Sequence, residues 1–154
     1  MTIAIIRVRG QVNINRDIKD TLRMLHLTRA NHCTIIPDGP AWRGQLLKVK
    51  DYVTWGPVTE ETVLQLLKTR GRLAGNRPLT EAHLSKHTPY ASFAELAKAV
   101  AAGQADLRKL EGVKPLFRLH PPRKGYEKVV RDFRTGGSLG DRGEGINTLI
   151  GRML

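Results

Sequence analysis

The sequence predicts a mixed α/β (α+β) fold that begins with a β-α-β-α-β unit, and three observations support this prediction. Short β-branched runs alternate with segments of helical apolar spacing within residues 1–56. Prolines, glycines and asparagines separate these segments, where the chain has to turn. The length of 154 residues is typical of one domain and suffices for a hydrophobic core without disulfides.

The first strand and the first helix are predicted within the N-terminal 27 residues. Residues 2–8 (TIAIIRV) are rich in β-branched side chains and lead into turn-forming residues, which indicates a strand. Asn15 suits the N-cap of the helix that follows, because its side chain can accept a hydrogen bond from a first-turn N–H. Aliphatic residues recur at i, i+4 and i+7, which gives the helix one apolar face and an expected end near Leu27. These residues are Ile18, Leu22 and Leu25.

Two more strands and a second helix complete the predicted unit. Residues 33–36 (CTII) are β-branched and stand before a proline, so they predict the second strand. Pro40 suits the first position of the second helix, where its missing N–H would have no partner in any case. We expect that helix to reach about Lys50. Residues 52–55 (YVTW) predict the third strand, closed by the Gly-Pro pair at 56–57.

The remaining residues predict a C-terminal extension made of helices, one short strand and basic loops. The predicted elements are a helix capped by Thr59 and ending at Gly71, a short helix over 80–86, a helix from the capping-box residue Ser92 to about Ala102, a strand over 116–119 and a terminal helix over 146–154. Residues 136–145 (GGSLGDRGEG) predict a glycine-rich loop. The predicted organisation is a core over 1–56 and an extension over 57–154, which includes a basic arm at 118–145.

The charge of the chain indicates a polyanionic partner. It has 26 Lys and Arg against 14 Asp and Glu, with a net charge of +12 and a pI near 10.5. Both halves are basic, because residues 1–70 hold 11 bases and 6 acids and residues 71–154 hold 15 and 8. This pattern is typical of proteins that bind a phosphate backbone. Aromatic residues are only 5% of the chain, so phosphate and shape should dominate over base stacking.

Other classes of protein are poorly supported by the sequence. No apolar run approaches the roughly 20 residues of a membrane span, no signal peptide is recognisable, and the single Cys33 permits no internal disulfide. We therefore expect a cytoplasmic protein without membrane association.

Enzymatic and metal-binding interpretations are weaker still. His83 and His87 have the i, i+4 spacing of helical metal ligands but lack the intervening glutamate of H-E-x-x-H. The acids do not cluster, and the loop at 136–145 matches no nucleotide-binding motif. We expect no catalytic residue, no cofactor and no metal.

The segment at 118–134 (RLHPPRKGYEKVVRDFR) concentrates six basic residues against two acids. Two adjacent prolines favour an extended backbone, which would hold Arg123 and Lys124 away from the core. Lys128, Arg131 and Arg134 have one-turn spacing if the segment is locally helical. The alternative interpretation is a solvated loop that only keeps the protein dissolved.

The candidate RNA-binding residues are chosen by charge, predicted exposure and, for the glycines, the close approach that a bare backbone allows. They are Arg7, Arg9, Arg29, Arg43, Lys48, Lys50, Arg118, His120, Arg123, Lys124, Lys128, Arg131, Arg134, Gly136, Gly137 and Arg142.

Four segments of the chain resemble a known family, the large-subunit ribosomal proteins called L-thirty in bacteria and archaea and L-seven in eukaryotes. The segments are 20–38 (DTLRMLHLTRANHCTIIPD), 39–53 (GPAWRGQLLKVKDYV), 119–127 (LHPPRKGYE) and 136–147 (GGSLGDRGEGIN). The bacterial form is similar only to about the first 56 residues, and it usually has threonine where this chain has Gly39. The extension resembles the long archaeal and eukaryotic form, and the chain lacks the basic N-terminal helix of the eukaryotic members.

The resemblance implies a ferredoxin-like core with an antiparallel three-stranded sheet. It also implies a non-enzymatic structural protein that binds large-subunit rRNA near 5S rRNA, as a monomer beside neighbouring ribosomal proteins in the cytoplasmic ribosome. Two alternatives stay open at this point: a stand-alone RNA-binding assembly or regulatory factor, and an enzyme that acts on nucleic acid.

Overall fold

The computed structural model describes residues 1–154 and confirms the predicted β-α-β-α-β order at the N-terminus. The strands are β1 (Thr2–Arg7), β2 (His32–Pro37), β3 (Val53–Pro57), β4 (Phe117–Arg118), β5 (Lys128–Asp132) and β6 (Gly137–Asp141). The α-helices are α1 (Arg16–Met24), α2 (Pro40–Val49), α3 (Glu60–Arg70), α4 (Glu81–His87), α5 (Phe93–Ala101) and α6 (Gly145–Met153). Single turns of 3-10 helix lie at Ala74–Asn76 and Phe133–Thr135.

All six strands form one mixed sheet in the order β4-β2-β1-β3-β6-β5. The central strand β1 is antiparallel to both of its neighbours, and Ile5 lies opposite Thr34 on one side and Trp55 on the other. This confirms the antiparallel three-stranded sheet expected of the core. The extension enlarges that sheet at both sides, because β4 pairs with β2 and β6 pairs in parallel with β3.

Helices cover both faces of the sheet, which explains why β1 reads as a continuous apolar run. Ile3 and Ile5 point into a hydrophobic cluster that also holds residues of α1 and α2. Ala4 and Ile6 point into a larger cluster that holds residues of α3, α5 and α6. The alternation follows from the two-residue period of a strand. The extension therefore supplies the second helical layer of the fold.

Side-chain caps fix where three of the helices begin. Asn15 accepts a hydrogen bond from the Asp17 N–H at 3.3 Å, as predicted. Thr59 accepts one from the Thr62 N–H at 3.4 Å, and Ser92 accepts one from the Glu95 N–H at 3.3 Å. Such caps contribute about 1 kcal/mol each to helix stability.

The first helix ends at Met24, three residues earlier than predicted. His26 adopts a left-handed conformation with φ of 59°, and the Leu27 N–H donates to the Leu22 carbonyl at 2.8 Å. This hydrogen bond closes the helix end in the manner of a Schellman motif. Leu25 and Leu27 lie beyond the helix but are buried in the same hydrophobic cluster as Leu22. The apolar pattern therefore continues past the helix end, which made the predicted helix too long.

The prediction of a loop over 136–145 is wrong, because residues 137–141 form β6. Its glycines permit close backbone approach: a Cβ atom on Gly137 would overlap the carbonyl group of Arg131. Gly140 has φ of 77°, which favours glycine over any residue with a side chain. Here glycine brings strands together rather than loosening the chain.

Two further predictions of local structure are corrected. The segment at 128–132 is the extended strand β5 rather than a helix, and its five side chains are exposed. It pairs in parallel with β6 in an irregular register. The Gly-Pro pair at 56–57 belongs to β3 rather than closing it, and Gly56 lies against the backbone of Gly143.

Candidate nucleic-acid interface

The strand register brings several predicted RNA-binding residues to one end of the sheet, where β1 and β4 end and β2 and β3 begin. We refer to this row of strand ends as the edge. Arg7 at the end of β1 lies opposite Val53 at the start of β3. His32 at the start of β2 lies opposite Arg118 at the end of β4. The loops that leave or enter these strand ends therefore meet, although they are far apart along the chain.

We call this group the basic edge and define it by its side chains. Arg29 and Arg118 flank His32: the Arg29 N–H donates to His32 Nδ1 at 3.4 Å, and Arg118 lies on the paired strand. The Arg9 guanidinium donates to the Asp51 carbonyl at 3.2 Å and lies 5.1 Å from the centre of the Tyr52 ring. The basic edge consists of Arg9, Arg29, Lys50, Arg118, His120, Arg123, Lys124 and Lys128. All of them are exposed except Arg9, which is half-buried.

Burial and cationic neighbours lower the pKa of His32. The side chain is buried, and burial lowers its pKa below the ordinary value; Arg118, Arg29 and Arg7 lower the pKa further. Three arginines therefore lie close enough to act on this ring, and none of them is in a salt bridge with a carboxylate. An anion would find a favourable potential at this edge.

The turn that carries Arg123 and Lys124 is held in place by the C-terminal helix. Arg152 in α6 donates from Nε to the Arg123 carbonyl at 2.9 Å and from Nη2 to the Gly125 carbonyl at 2.6 Å. The Arg123 N–H donates to the Arg152 carbonyl at 3.0 Å. Lys124 and Gly125 both have positive φ, 67° and 74°. The two exposed cations thus stand on an ordered turn that loses little conformational entropy on binding.

A hydrogen-bonded cluster holds the base of the arm to the core. The Tyr126 hydroxyl donates to Asn31 Oδ1 at 2.7 Å. The Glu127 carboxylate accepts from Ser138 at 3.0 Å and lies 3.5 Å from Arg142 and 3.6 Å from Arg152. A hydrogen bond from its own backbone, together with Ser138 and Arg142, holds the pKa of Glu127 below its usual range.

Two predicted residues, Arg7 and Arg142, are buried rather than displayed. Arg142 contacts Glu127 and lies 4.5 Å from the centre of the Phe133 ring. Arg7 donates to the carbonyls of Leu27, Arg9 and Gly10. Each guanidinium donates hydrogen bonds to other groups of the protein and thereby stabilises the fold.

The other predicted residues lie away from the basic edge. Arg43 forms a two-point salt bridge with Asp38 at the opposite end of the sheet, with distances of 2.9 and 2.6 Å. The hydrogen bond from Arg43 lowers the pKa of Asp38. Arg134 lies 3.6 Å from Asp141. Lys48 on α2 and Arg131 on β5 are exposed.

The two predicted glycines use their backbone within the protein. The Gly136 N–H donates to the Phe133 carbonyl at 3.1 Å, and Gly137 is buried against Arg131. At Gly137 the close approach that glycine permits is therefore made to this chain's own backbone, whereas Gly136 is exposed with open space around it.

The structure also shows basic residues that the sequence reasoning missed. A pocket of about 190 Å³ lies next to the basic edge and is lined by Arg7, Gln11, Lys19, Arg23, Leu27 and Thr28. The available signal was the i, i+4 spacing of Lys19 and Arg23 on the polar face of α1. A second pocket, of about 380 Å³, lies at the opposite end of the sheet, where Met1, Leu47 and Trp55 are among its lining residues.

The histidines and the cysteine singled out in the sequence form no cluster of metal ligands in the structure. His83 and His87 stack on each other with ring centres 4.4 Å apart, and no three His, Cys, Asp or Glu residues come together in a way that could hold a metal ion. Burial raises the pKa of the Cys33 thiol to about 12, so it is not a nucleophile at neutral pH. None of the helices combines the length and the apolar character needed to cross a bilayer.

Comparison with known proteins places this arrangement in context. Residues 3–53 match the sequence model of the family described as ribosomal protein L30p/L7e. Three archaeal proteins, each named large ribosomal subunit protein uL30, are similar over nearly the whole chain. That of Methanoculleus marisnigri is 49% identical over 150 residues, covering 97% of this chain and 98% of its own. That of Methanopyrus kandleri is 50% identical over 149 residues (96% and 100%), and that of Archaeoglobus fulgidus is 48% identical over 150 residues (97% and 98%).

Proposed function

The chain belongs to the ribosomal protein L30p/L7e family, and from this premise we propose that its basic edge holds folded large-subunit rRNA by contacts with phosphates. It is a structural, non-enzymatic protein of the large ribosomal subunit, with archaeal-type relatives. The resemblance seen in the sequence is thereby confirmed. The enzyme alternative is wrong, because the family is non-enzymatic.

One observation carries the proposed interface: exposed cations from distant parts of the chain share one edge and have no carboxylate partner there. None of Arg29, Arg118, Arg123 and Lys124 lies within salt-bridge distance of an acid, whereas Arg43 at the other end of the sheet does. Unpaired cations on an ordered surface release counterions when they meet phosphates, which supplies most of the affinity for a nucleic acid backbone. Arginine adds two-point hydrogen bonding to phosphate oxygens.

The two parts of the chain have different roles in this proposal. We propose that residues 1–56 act as the core and residues 57–154 as an extension, whose arm at 118–145 completes the basic edge. Arg43 and Arg134 are secondary candidates because they form salt bridges, and Gly137 because it is buried. Lys48, Arg131 and Gly136 are exposed but lie outside the basic edge as defined above. We also propose that the chain sits as a monomer near 5S rRNA with ribosomal proteins as neighbours.

Charge reversal on the ordered turn tests the interface. We expect the double variant Arg123→Glu and Lys124→Glu to bind large-subunit rRNA at least about tenfold more weakly at 0.15 M salt, and the slope of log affinity against log salt to fall by about 2. The matched control is Lys68→Glu and Lys98→Glu, which changes net charge equally on exposed positions of α3 and α5. Equal losses in the two variants, with native folding of both, would show that binding follows net charge rather than this edge.

Incorporation into the subunit tests the structural role. We expect the wild-type chain to stay with large subunits through high-salt washes, and the turn variant to be released at lower salt than the control. A wild-type chain that leaves at moderate salt would behave as a stand-alone factor rather than as a constituent of the subunit.

A further inference from the structure

We propose that the pocket beside the basic edge is a second anion site, which holds one phosphate group of the bound RNA. The proposal rests on the rRNA-binding function and extends it to residues outside the arm. The pocket lies between the loop after β1, the helix α1 and the loop after that helix. Its lining residues are Arg7, Gln11, Lys19, Arg23, Leu27 and Thr28, and its volume is about 190 Å³.

The buried arginine of this pocket has positive charge that the protein does not balance. The Arg7 side chain is 2% exposed, and its guanidinium donates to the carbonyls of Leu27 at 2.7 Å, Arg9 at 2.9 Å and Gly10 at 3.0 Å. A guanidinium has five N–H groups, so two are left for another acceptor. No carboxylate lies within salt-bridge distance of Arg7. A buried charge without a counter-charge is costly, and an anion at the pocket would offset that cost.

Two cations on the rim strengthen this argument. Lys19 and Arg23 stand at i and i+4 of α1, both exposed and neither in a salt bridge. Like charges at this spacing destabilise a helix, so folding alone does not favour the pair. Together with Arg7 they give the pocket three positive charges, and no acidic residue lines it.

The remaining lining favours a phosphate over a nucleobase. No aromatic side chain lines the pocket, so a base would have no ring to stack on. The Gln11 amide donates to the Thr28 carbonyl, and Arg7 donates to carbonyls of both loops, so the two loops meet at the pocket. Donors brought together in this way suit the oxygens of a phosphodiester.

The test compares matched neutral variants of the full-length chain. We expect Lys19→Ala with Arg23→Ala to weaken binding to large-subunit rRNA about tenfold at 0.15 M salt and to lower the salt slope by about 1 to 2. The control Lys68→Ala with Lys98→Ala removes the same charge from other exposed positions and should change binding about twofold or less. The exchange Lys19→Arg with Arg23→Lys keeps both charges and should retain near-normal binding.

Inorganic phosphate provides a second readout that does not depend on RNA. In the wild-type chain, we expect titrated phosphate to shift the NMR signals of the backbone amides at residues 10–11 and 27–28. In the Lys19→Ala and Arg23→Ala variant these shifts should be absent, while its spectrum elsewhere stays native. If phosphate shifts these signals in the wild-type chain but the variant still binds rRNA normally, the pocket takes up an adventitious ion only, and the proposal is overturned.

The outcomes separate this proposal from the function on which it rests. If the variant of Lys19 and Arg23 binds rRNA like its control while the variant of Arg123 and Lys124 does not, the pocket proposal is wrong and the basic edge stands. If neither differs from its control, the proposed interface itself is wrong.

Discussion

The chain buries two arginines, and their surroundings differ in one respect. Arg142, at the base of the arm, donates to the Glu127 carboxylate at 3.5 Å, the Ser138 carbonyl at 3.4 Å and the Thr54 hydroxyl at 3.4 Å. Arg7, beside the basic edge, donates only to backbone carbonyls. Burial lowers the pKa of both, but only for Arg142 does a carboxylate, Glu127, oppose that effect.

The presence or absence of a counter-charge within the chain separates structural from functional cations in a strongly basic protein. A buried cation that meets its counter-charge within the chain stabilises the fold and has little left for a partner. A buried cation without a counter-charge in the chain produces a positive potential at the nearby surface, and this potential attracts anionic ligands.

The largest effect is expected from Arg142→Met. It removes three hydrogen bonds and leaves Glu127 without its buried partner, so we expect the free energy of unfolding to fall by about 2–3 kcal/mol. The value is below that of a fully buried pair because Glu127 is 45% exposed. Urea denaturation measures it. The double variant with Glu127→Gln should lose less than the two single losses combined, and simple additivity would contradict the pairing.

A smaller loss of stability, about 1–2 kcal/mol, is expected from Arg7→Met. The change removes hydrogen bonds to three carbonyls but also removes an unmatched buried charge, and these effects oppose each other. We expect 100 mM phosphate to stabilise the wild-type chain by about 1 kcal/mol more than it stabilises this variant. Arg142→Met should keep the phosphate effect of the wild type. Equal effects of phosphate on all three chains would show that the two arginines do not differ as described.

Acid should affect the two regions in different pH windows. The pKa of His32 is lowered by folding, so only the unfolded state gains its proton as pH falls below about 6.5, and stability falls by at most about 1.4 kcal/mol per pH unit. The lowered pKa of Glu127 acts later, because its stabilisation is lost as pH falls below about 4.5. We expect His32→Asn to reduce the slope of the stability curve just below pH 6.5, where His26, whose pKa is lowered by burial and by Arg108, still contributes. An unchanged slope there would exclude His32 as its source.

The smallest effect is expected at Cys33, which is buried in β2 next to the central strand. Its thiol is buried with a pKa near 12, so alkylation by iodoacetamide at pH 8 should require opening of the fold. We expect the rate to rise in Arg142→Met and to stay unchanged in the variant of Lys19 and Arg23. Faster labelling in the pocket variant would mean that its loss of RNA binding reflects a loosened core.

The sequence predicted the core better than the arm, for physical reasons. In the first 56 residues the strands are short β-branched or aromatic runs, and the two helices begin with a cap, Asn15, or a proline, Pro40. Local preference and tertiary structure therefore agree. In the arm, Lys128, Arg131 and Arg134 have helical spacing by coincidence, while the Val129–Val130 pair belongs to a strand. The glycines of β6 were interpreted as loop signals, because only the neighbouring strand shows that they permit close contact.

The residue types of the candidate site could be predicted from the sequence, but their arrangement in space could not. The basic residue types follow from the sequence pattern, and so does the break in regular structure at the two prolines, 121–122. The order of the turn that follows depends on Arg152, which is distant in the sequence. The meeting of Arg29, Arg118 and Arg123 at one edge depends on the strand register, which no local pattern specifies. The burial of Arg7 depends on three carbonyls from two loops that converge on it, and this is a tertiary feature.

The hold of Arg152 on the turn at 123–125 has a consequence for the order of events during translation. The donor that fixes the turn is made nearly thirty residues after the turn itself has been polymerised. A nascent chain that has not yet released α6 from the exit tunnel lacks this donor, so the turn can become ordered only after residue 152 has emerged. Recruitment to a maturing particle through this surface would then favour chains whose α6 has already folded against the turn.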